Sequence, residues 1–182
     1  ILTSSFLSMT RGLEEREKIK DAFGRFVHEE VANMAMHGEL KLGGEQRRVA
    51  IFFSDLRNFT GIAEKMQPEQ VVDMLNQYFS AMVECVYETG GVVDKYIGDA
   101  IMAHWGAFRP GSNDTKNAVE AAIRMRESLV RLNQEFARRG QPVLRCGCGI
   151  NTGDVIAGQI GSRKRLEYTV IGDAVNFASR IA

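Results

Sequence analysis

The chain has 182 residues, 45% of them hydrophobic, which suits one well-packed domain with an appendage. Lys plus Arg and Asp plus Glu each number 23, and this balance argues against a general polyanion binder, so no nucleic-acid partner is expected. The three cysteines, Cys85, Cys146 and Cys148, make neither a disulfide framework nor a complete zinc site. This excludes a small domain stabilised by disulfides or by structural zinc.

The N-terminal part of the chain predicts a helix. Residues 5 to 37 are rich in helix formers and contain no proline. A parallel dimeric helix also fits them, although the apolar seam is too short and broken for a defined coiled coil. Residues 37 to 46 contain several glycines and predict a linker. We therefore expect a signalling or dimerisation helix with its linker over 1–46 and a globular domain over 47–182.

The globular domain begins with a predicted strand, Arg48 to Asp55, that ends in a carboxylate. A helix is expected from Pro68 to the Thr-Gly-Gly sequence at 89–91. Residues 92–106 then predict a hairpin with Gly98 and Asp99 in its turn. The expected buried stripe of the helix consists of Val71, Val72, Leu75, Phe79, Met82, Val83 and Val86.

A second helix is predicted from a cap at Asn113 or Asp114 to Gly140. Residues 142 to 161 predict a strand, a glycine-rich turn and a returning strand, and residues 165 to 182 predict a strand followed by the start of a helix. The expected buried stripe of the second helix consists of Val119, Ala122, Ile123, Leu129 and Phe136.

This order of elements predicts an α+β fold, a ferredoxin-like βαββαβ sheet with helices on one face, preceded by the N-terminal helix. In that topology the first and third strands are neighbours, so Asp55 and Asp99 are expected to meet at one edge of the sheet. Two adjacent carboxylates repel, and a divalent cation relieves the repulsion. Oxygen ligands suit Mg²⁺ or Mn²⁺ held together with substrate phosphates, which favours two-metal nucleotidyl transfer. The alternatives are a solvated strand end or helix cap at Asp55 and a simple turn residue at Asp99.

Four sequence blocks now stand in order along the chain: VAIFFSDLRNFT, VVDKYIGDAIMAHWG, RCGCGINTGDVIAG and YTVIGDAVNFASR. Together they resemble the signature blocks of the class III adenylyl/guanylyl cyclase catalytic domain, from about residue 47 to the end of the chain. The resemblance implies that Asp55 and Asp99 bind metal, with the carbonyl of Leu56 as a backbone ligand. It also implies that the backbone N–H groups of Phe59 and Thr60 contact the triphosphate of the substrate.

The same resemblance assigns the remaining site residues. Lys95 matches the lysine that recognises adenine, and Thr169 stands at its partner position, as in one bacterial-type subgroup with Thr there. Asn176 and Arg180 match the pair that acts on the transition state, and their spacing of four residues puts them on one helix face. Arg145 matches a phosphate-side arginine, although a place in a strand would also allow a structural role.

The resemblance implies an adenylyl cyclase that converts ATP to 3′,5′-cyclic AMP and pyrophosphate with two Mg²⁺ or Mn²⁺ ions. Guanylyl cyclases of the family typically carry Glu and Cys at the positions of Lys95 and Thr169, so this pair favours ATP. In the family the aspartates and the other residues come from opposite subunits, which implies a homodimer with composite active sites. We expect a cytoplasmic domain under an upstream sensor or signalling helix, and membrane attachment of the intact protein stays open.

Two features depart from the family pattern. Asn58 stands where the family usually has glycine, but asparagine tolerates positive φ, so the turn is expected to form. The chain ends at Ala182, and the family continues with further strands and a phosphate-contacting lysine, so we expect the C-terminal part of the domain to be missing. The alternative functions are a guanylyl cyclase, a non-catalytic cyclase-like dimerisation or regulatory module, and another palm-type enzyme such as a diguanylate cyclase.

Overall fold

The structure is a computed structural model that describes residues 31–33, 43–162 and 165–182. The chain divides into two compact units, Ile1–Leu42 and Gly43–Ala182. Residues 31–33 of the first unit are helical. The rest of the predicted N-terminal helix lies outside the described residues, so its proposed signalling role stays a prediction.

The second unit is a five-stranded sheet with helices. Its strands follow the order β2-β3-β1-β4-β5, and each neighbouring pair is antiparallel. The first four strands and the two long helices form the predicted ferredoxin-like arrangement, which is thereby confirmed, and β5 extends it at one edge. The elements are β1 (Gly43–Leu56), α1 (Phe59–Ala63), α2 (Pro68–Glu88), β2 (Val92–Ile97), β3 (Ala100–Trp105), α3 (Asp114–Arg138), β4 (Cys146–Ser162), β5 (Arg165–Ile171) and α4 (Asp173–Ile181).

The second half of the central strand β1, from Val49 to Ser54, is buried on both of its faces. Ala50 and Phe52 pack against α2 and α3, while Ile51 and Phe53 belong to a second cluster that includes Ala178 of α4. The expectation of helices on one face therefore holds for the two long helices, and the short α4 covers the opposite face. An uninterrupted apolar run in a strand needs cover on both faces, which explains the third layer.

Two strands are longer than their sequence patterns predict. β1 begins at Gly43, inside the segment predicted as a linker, and pairs with β4 over its whole length. The predicted glycine-rich turn in residues 142–161 is wrong, because β4 is one continuous strand there. Its glycines serve close packing instead: a Cβ at Gly149 would overlap the Ala178 carbonyl, and one at Gly153 would lie 2.6 Å from the Ala174 side chain.

The sheet curls so that its two outer strands touch. Lys95 on β2 contacts Glu167 on β5, with Nζ and Oε2 2.8 Å apart. Thr169 on β5 donates a hydrogen bond of 2.7 Å to Asp94 on β2. Strands at opposite ends of the hydrogen-bonded order can meet only if the sheet bends over one face, here the face that α4 covers.

The predicted buried stripes of the two long helices are correct in part, since Met82, Val86 and Phe136 are buried as expected. Val72 of α2 is 57% exposed, and Val119 and Ile123 of α3 are also exposed. Other buried positions were not predicted, among them Tyr78 on α2 and the small residues Ala118 and Ala121 on α3. The fully packed positions are Met74, Tyr78, Met82, Cys85 and Val86 on α2 and Ala118, Ala121, Met125, Leu132 and Phe136 on α3.

Asn58 adopts φ 58° and ψ 32°, so the left-handed turn between β1 and α1 forms as expected. Cys85, Cys146 and Cys148 are free thiols. Across the part of the chain that the structure describes, no helix is both long enough and apolar enough to span a bilayer.

Burial on α2 predicts unequal effects for one substitution made at two valines. Val86 is fully buried whereas Val72 is 57% exposed on the same helix. Val86→Ala should lower the free energy of unfolding by about 2–3 kcal/mol through lost burial and an unfilled cavity. Val72→Ala, the matched control, should change it by less than about 0.5 kcal/mol. Urea denaturation measures both, and equal losses would contradict the assigned face of the helix.

The turn at Asn58 gives a second prediction. Its positive φ is disfavoured for residues other than Gly, Asn and Asp. Asn58→Gly should leave the midpoint of thermal unfolding nearly unchanged, whereas Asn58→Ala should cost roughly 1–2 kcal/mol of stability. An alanine variant as stable as the glycine variant would show that the turn does not need this conformation.

Candidate active site

Two carboxylates meet at the end of β1. The register of β1 with β3 places Ser54 opposite Ile101, so the next residues on each strand approach the turn at Asp99. The backbone N–H of Leu56 donates a 3.2 Å hydrogen bond to Oδ2 of Asp99. Burial raises the pKa of Asp99, and repulsion from the adjacent carboxyl group of Asp55 raises it further. The predicted meeting of the two aspartates at one edge of the sheet is therefore confirmed.

The residues expected to contact phosphate surround this end of β1. Phe59 and Thr60 form the start of α1, after a turn of only two residues. The carbonyl of Arg145 accepts a 2.7 Å hydrogen bond from the backbone N–H of Arg57, which ties the two loops together. Arg145 is exposed and lies just before β4, not within a strand, so the structural alternative based on a strand position does not apply.

Lys95 and Thr169 form a second group, where β2 and β5 touch. The two side chains share a partner in Asp94, which accepts the Thr169 hydroxyl at 2.7 Å and lies 3.5 Å from Lys95 Nζ. Burial alone would lower the pKa of Lys95, but its contacts with Glu167 and Asp94 outweigh burial and raise it. The lysine is thus held as a cation, about one-third exposed.

Asp94 and Glu167 were not predicted as site residues. Glu167 and Thr169 are two positions apart on β5, and this spacing puts them on one face of a strand. The sequence could therefore have indicated Glu167 as a neighbour of the site. Asp94 gives no such signal, because it precedes Lys95 and regular alternation would point the two side chains to opposite faces. The pairing register between β2 and β3 shifts between Val93 and Lys95, and this bulge turns Asp94 inward.

The third group lies on α4. Asn176 and Arg180 are both exposed, one turn apart on the same helix face. The helix is fixed to β4 by a 3.0 Å hydrogen bond from the Asn151 amide to the carbonyl of Ala174 and by the buried Ala178. Its orientation is therefore set by packing, while the two polar side chains stay available to a ligand.

Two cavities on the helical side of the sheet are lined by other residues. One, of about 990 Å³, lies between α2 and α3, and another, of about 310 Å³, is lined by α3, β4 and both Cys146 and Cys148. Neither includes the aspartates, Lys95 or the polar residues of α4. The three groups of predicted residues lie instead on open surface and at the contact of β2 with β5.

The donor atoms at the end of β1 suit a divalent cation. Asp55, Asp99 and the backbone carbonyl of Leu56 all offer oxygen, which Mg²⁺ and Mn²⁺ prefer. Within the described residues, no cluster of three or more His, Cys, Asp and Glu side chains occurs. A cation at this end would therefore take further oxygens from a bound ligand, as Mg²⁺ does when it binds with phosphates.

Comparison with known proteins identifies the family. A family model described as the adenylate and guanylate cyclase catalytic domain matches residues 44–182. The adenylate cyclase of Anabaena cylindrica is 40% identical over 173 residues, which are 91% of this chain and 34% of that protein. The chain spans about a third of the length of the curated relatives it matches.

Solved structures agree with this match. The guanylyl cyclase Cya2 has a TM-score of 0.74 and 41% identity, covering 77% of this chain and 71% of its own. The adenylyl cyclase CyaB from P. aeruginosa has a TM-score of 0.72 and 36% identity, covering 76% and 72%. The chain belongs to the family of adenylate and guanylate cyclase catalytic domains.

Proposed function

We propose that this chain is the catalytic domain of an adenylyl cyclase, which converts ATP to 3′,5′-cyclic AMP and pyrophosphate. The observation that carries the proposal is the pair of carboxyl groups, Asp55 and Asp99, side by side at the end of β1. Membership of the family supplies the class of reaction. The residues proposed to act stand at the corresponding positions of the family pattern.

Asp55, Asp99 and the carbonyl of Leu56 would hold two Mg²⁺ or Mn²⁺ ions together with the phosphates of the nucleotide. When bound, such ions lower the pKa of a coordinated hydroxyl and neutralise phosphate charge. The fit is supported by the repulsion between the two carboxyl groups, which a cation would relieve.

In the proposed reaction the ribose 3′-hydroxyl attacks the α-phosphorus in line, and pyrophosphate leaves. Arg180 would place its planar guanidinium along the α-phosphoryl oxygens, where negative charge develops. Asn176 would hold the ribose, so its contribution is mainly orientation. Backbone N–H groups of Phe59 and Thr60, together with Arg145, would bind the triphosphate.

The choice of ATP rests on Lys95 and Thr169. Adenine offers a ring nitrogen acceptor beside an amino donor, and an ammonium beside a hydroxyl can match both. Similarity to relatives does not decide the base, since an adenylate cyclase and the guanylyl cyclase Cya2 match this chain about equally well. Guanylyl cyclase activity is therefore the second candidate, and the residue pair favours adenine.

We further propose a homodimer with two composite sites, each combining the aspartates of one subunit with Lys95, Thr169, Asn176 and Arg180 of the other. Support comes from the surface of α4, where Phe177 is 55% and Ile181 47% exposed beside the polar pair. Exposed apolar side chains next to functional groups are typical of an interface.

We also propose how the enzyme is regulated. The curated relatives extend well beyond the matched segment. We place the domain in the cytoplasm under an upstream sensor that acts through residues 1–46. A membrane segment in the intact protein is one form that such an input could take.

The direct test is to incubate a purified protein that contains residues 1–182 with Mn²⁺ and either ATP or GTP, and to separate the products. Cyclic AMP from ATP, formed at least tenfold faster than cyclic GTP from GTP at equal substrate, is the expected result, since one mismatched base contact costs about that factor. Preferential formation of cyclic GTP would establish the second candidate. A folded dimer that forms neither product would favour a non-catalytic module.

Loss of either aspartate should abolish activity. Asp55→Ala and Asp99→Ala each remove a metal anchor that the remaining carboxylate cannot replace, so cyclic nucleotide formation should fall by at least about 10³-fold. Asp73→Ala on the exposed surface of α2 is the matched control and should keep full activity. Circular dichroism checks that the fold is intact, and near-normal turnover in either aspartate variant would refute the assignment.

Mixing two inactive variants tests the composite site. Asp55→Ala and Arg180→Ala homodimers should both be inactive. After subunit exchange, an equal mixture should recover about a quarter of wild-type activity, because half of the dimers are mixed and each has one intact site. A mixture of Asp55→Ala with Asp99→Ala, which damages the same half, should stay inactive. If the first mixture also stays inactive despite proven exchange, each site is built within one chain.

A further inference from the structure

A buried carboxylate lies directly behind the two residues proposed to read the base. The Asp94 side chain is 0% exposed, at the bulge in β2. Its Oδ2 accepts the hydroxyl of Thr169 at 2.7 Å, and its Oδ1 lies 3.5 Å from the ammonium of Lys95. Burying a charge is costly unless partners compensate it, so a carboxylate in this place needs an explanation.

Hydrogen-bond donors face the Asp94 carboxylate. A carboxylate only accepts hydrogen bonds, and the groups that face it donate: the Thr169 hydroxyl, the Lys95 ammonium and the backbone N–H of Val170. His104, also buried, places Nε2 3.9 Å from Oδ2. Burial raises the pKa of Asp94 above its ordinary value, and the contacts with Thr169, Lys95 and Val170 offset only part of that rise.

The contact with Asp94 decides what Thr169 can do for a ligand. A hydroxyl has one proton, and Thr169 gives it to Asp94. The oxygen of Thr169 can therefore only accept a further hydrogen bond. Lys95 has three N–H donors. One binds Glu167 and the 3.5 Å contact with Asp94 takes at most a second, so at least one remains for a ligand acceptor.

We propose that Asp94 is a positioning residue for substrate choice, which fixes the Thr169 hydroxyl as an acceptor for the 6-amino group of adenine. Guanine carries a carbonyl oxygen at this position, and two acceptors facing each other leave both without a donor. The inference rests on the proposed adenylyl cyclase function and adds a residue that contacts no substrate itself.

The substitution Asp94→Asn should reverse the direction of the hydrogen bond between this side chain and the Thr169 hydroxyl. The amide of Asp94→Asn has almost the same shape, but its NH₂ group cannot face the Lys95 ammonium without repulsion. Its oxygen should therefore turn to Lys95 and its NH₂ to Thr169. In Asp94→Asn the Thr169 hydroxyl would then accept a hydrogen bond from the amide and direct its own proton outward, against the amino group of adenine.

The experiment compares ATP with purine riboside triphosphate, which is identical except that the 6-amino group is replaced by hydrogen. The ratio of kcat/KM for the two nucleotides isolates the contact with that amino group, because general damage to the protein affects both substrates alike. The variants are Asp94→Asn, Thr169→Val and the double variant. Glu167→Gln is the matched control, since Glu167 contacts Lys95 but its contacts do not include Thr169.

Wild-type protein and the Glu167→Gln variant should prefer ATP by about tenfold, and each of the other variants should reduce this preference to about twofold or less. In the Thr169→Val background, adding Asp94→Asn should change the ratio by less than about twofold, because the two residues act through one contact. An Asp94→Asn variant that keeps the preference, or effects that multiply in the double variant, would overturn the proposal.

A measurement on the wild-type protein covers the case in which Asp94→Asn does not fold. The Thr169 hydroxyl proton, held between two oxygens 2.7 Å apart, should exchange slowly with water and give a resolved NMR signal that Thr169→Val removes. A folded protein without that protected proton would overturn the role of Asp94. Absence of cyclic product from ATP would instead refute the proposed function, and the two failures are thus told apart.

Discussion

The pairing of β1 on both of its edges is the constraint on which the candidate site depends. A strand buried on both faces must satisfy every backbone N–H and carbonyl group within the sheet, so its registers with β3 and β4 are tightly specified. The register with β3 brings Asp55 beside Asp99. The register with β4 brings Arg145 to the same end and seats α4 on the far face. A slip of one residue in either ladder would separate these groups.

Topology explains why the meeting of the two aspartates could be predicted from sequence, whereas the helix faces could be predicted only in part. The juxtaposition of Asp55 and Asp99 follows from strand order alone, and the turn at Asn58 follows from the local tolerance of asparagine for positive φ. The buried faces of α2 and α3 depend on how closely each helix approaches the sheet. Alanines at 118 and 121 allow a close approach that the bulkier Val119 and Ile123 would prevent, and side-chain size cannot show this in advance.

Close packing also accounts for the wrongly predicted turn in β4. Glycine is frequent both in turns and where two backbones approach closely, and the sequence pattern does not separate the two uses. At Gly149 and Gly153 the partner is α4, a helix that comes more than twenty residues later in the chain. The contact between β2 and β5 could not be predicted from the sequence either, because strands that are not neighbours in the sheet meet only through its curvature. Asp94 turns inward only because of a bulge, which the sequence pattern does not show.

The two parts of the site differ in how much of the charge is already compensated. At Asp94 the chain itself places the Thr169 hydroxyl and the Lys95 ammonium beside a buried carboxylate before any ligand binds. At Asp55 and Asp99 two like charges remain together on a half-open surface. On the proposed function this difference is physically reasonable. To select a base, the donor and acceptor roles of the contacting groups must be fixed in advance. This requires groups that are shielded from water and already held in place. The phosphate end gains its countercharges only with metal and nucleotide, and closing it earlier would leave buried charges unpaired.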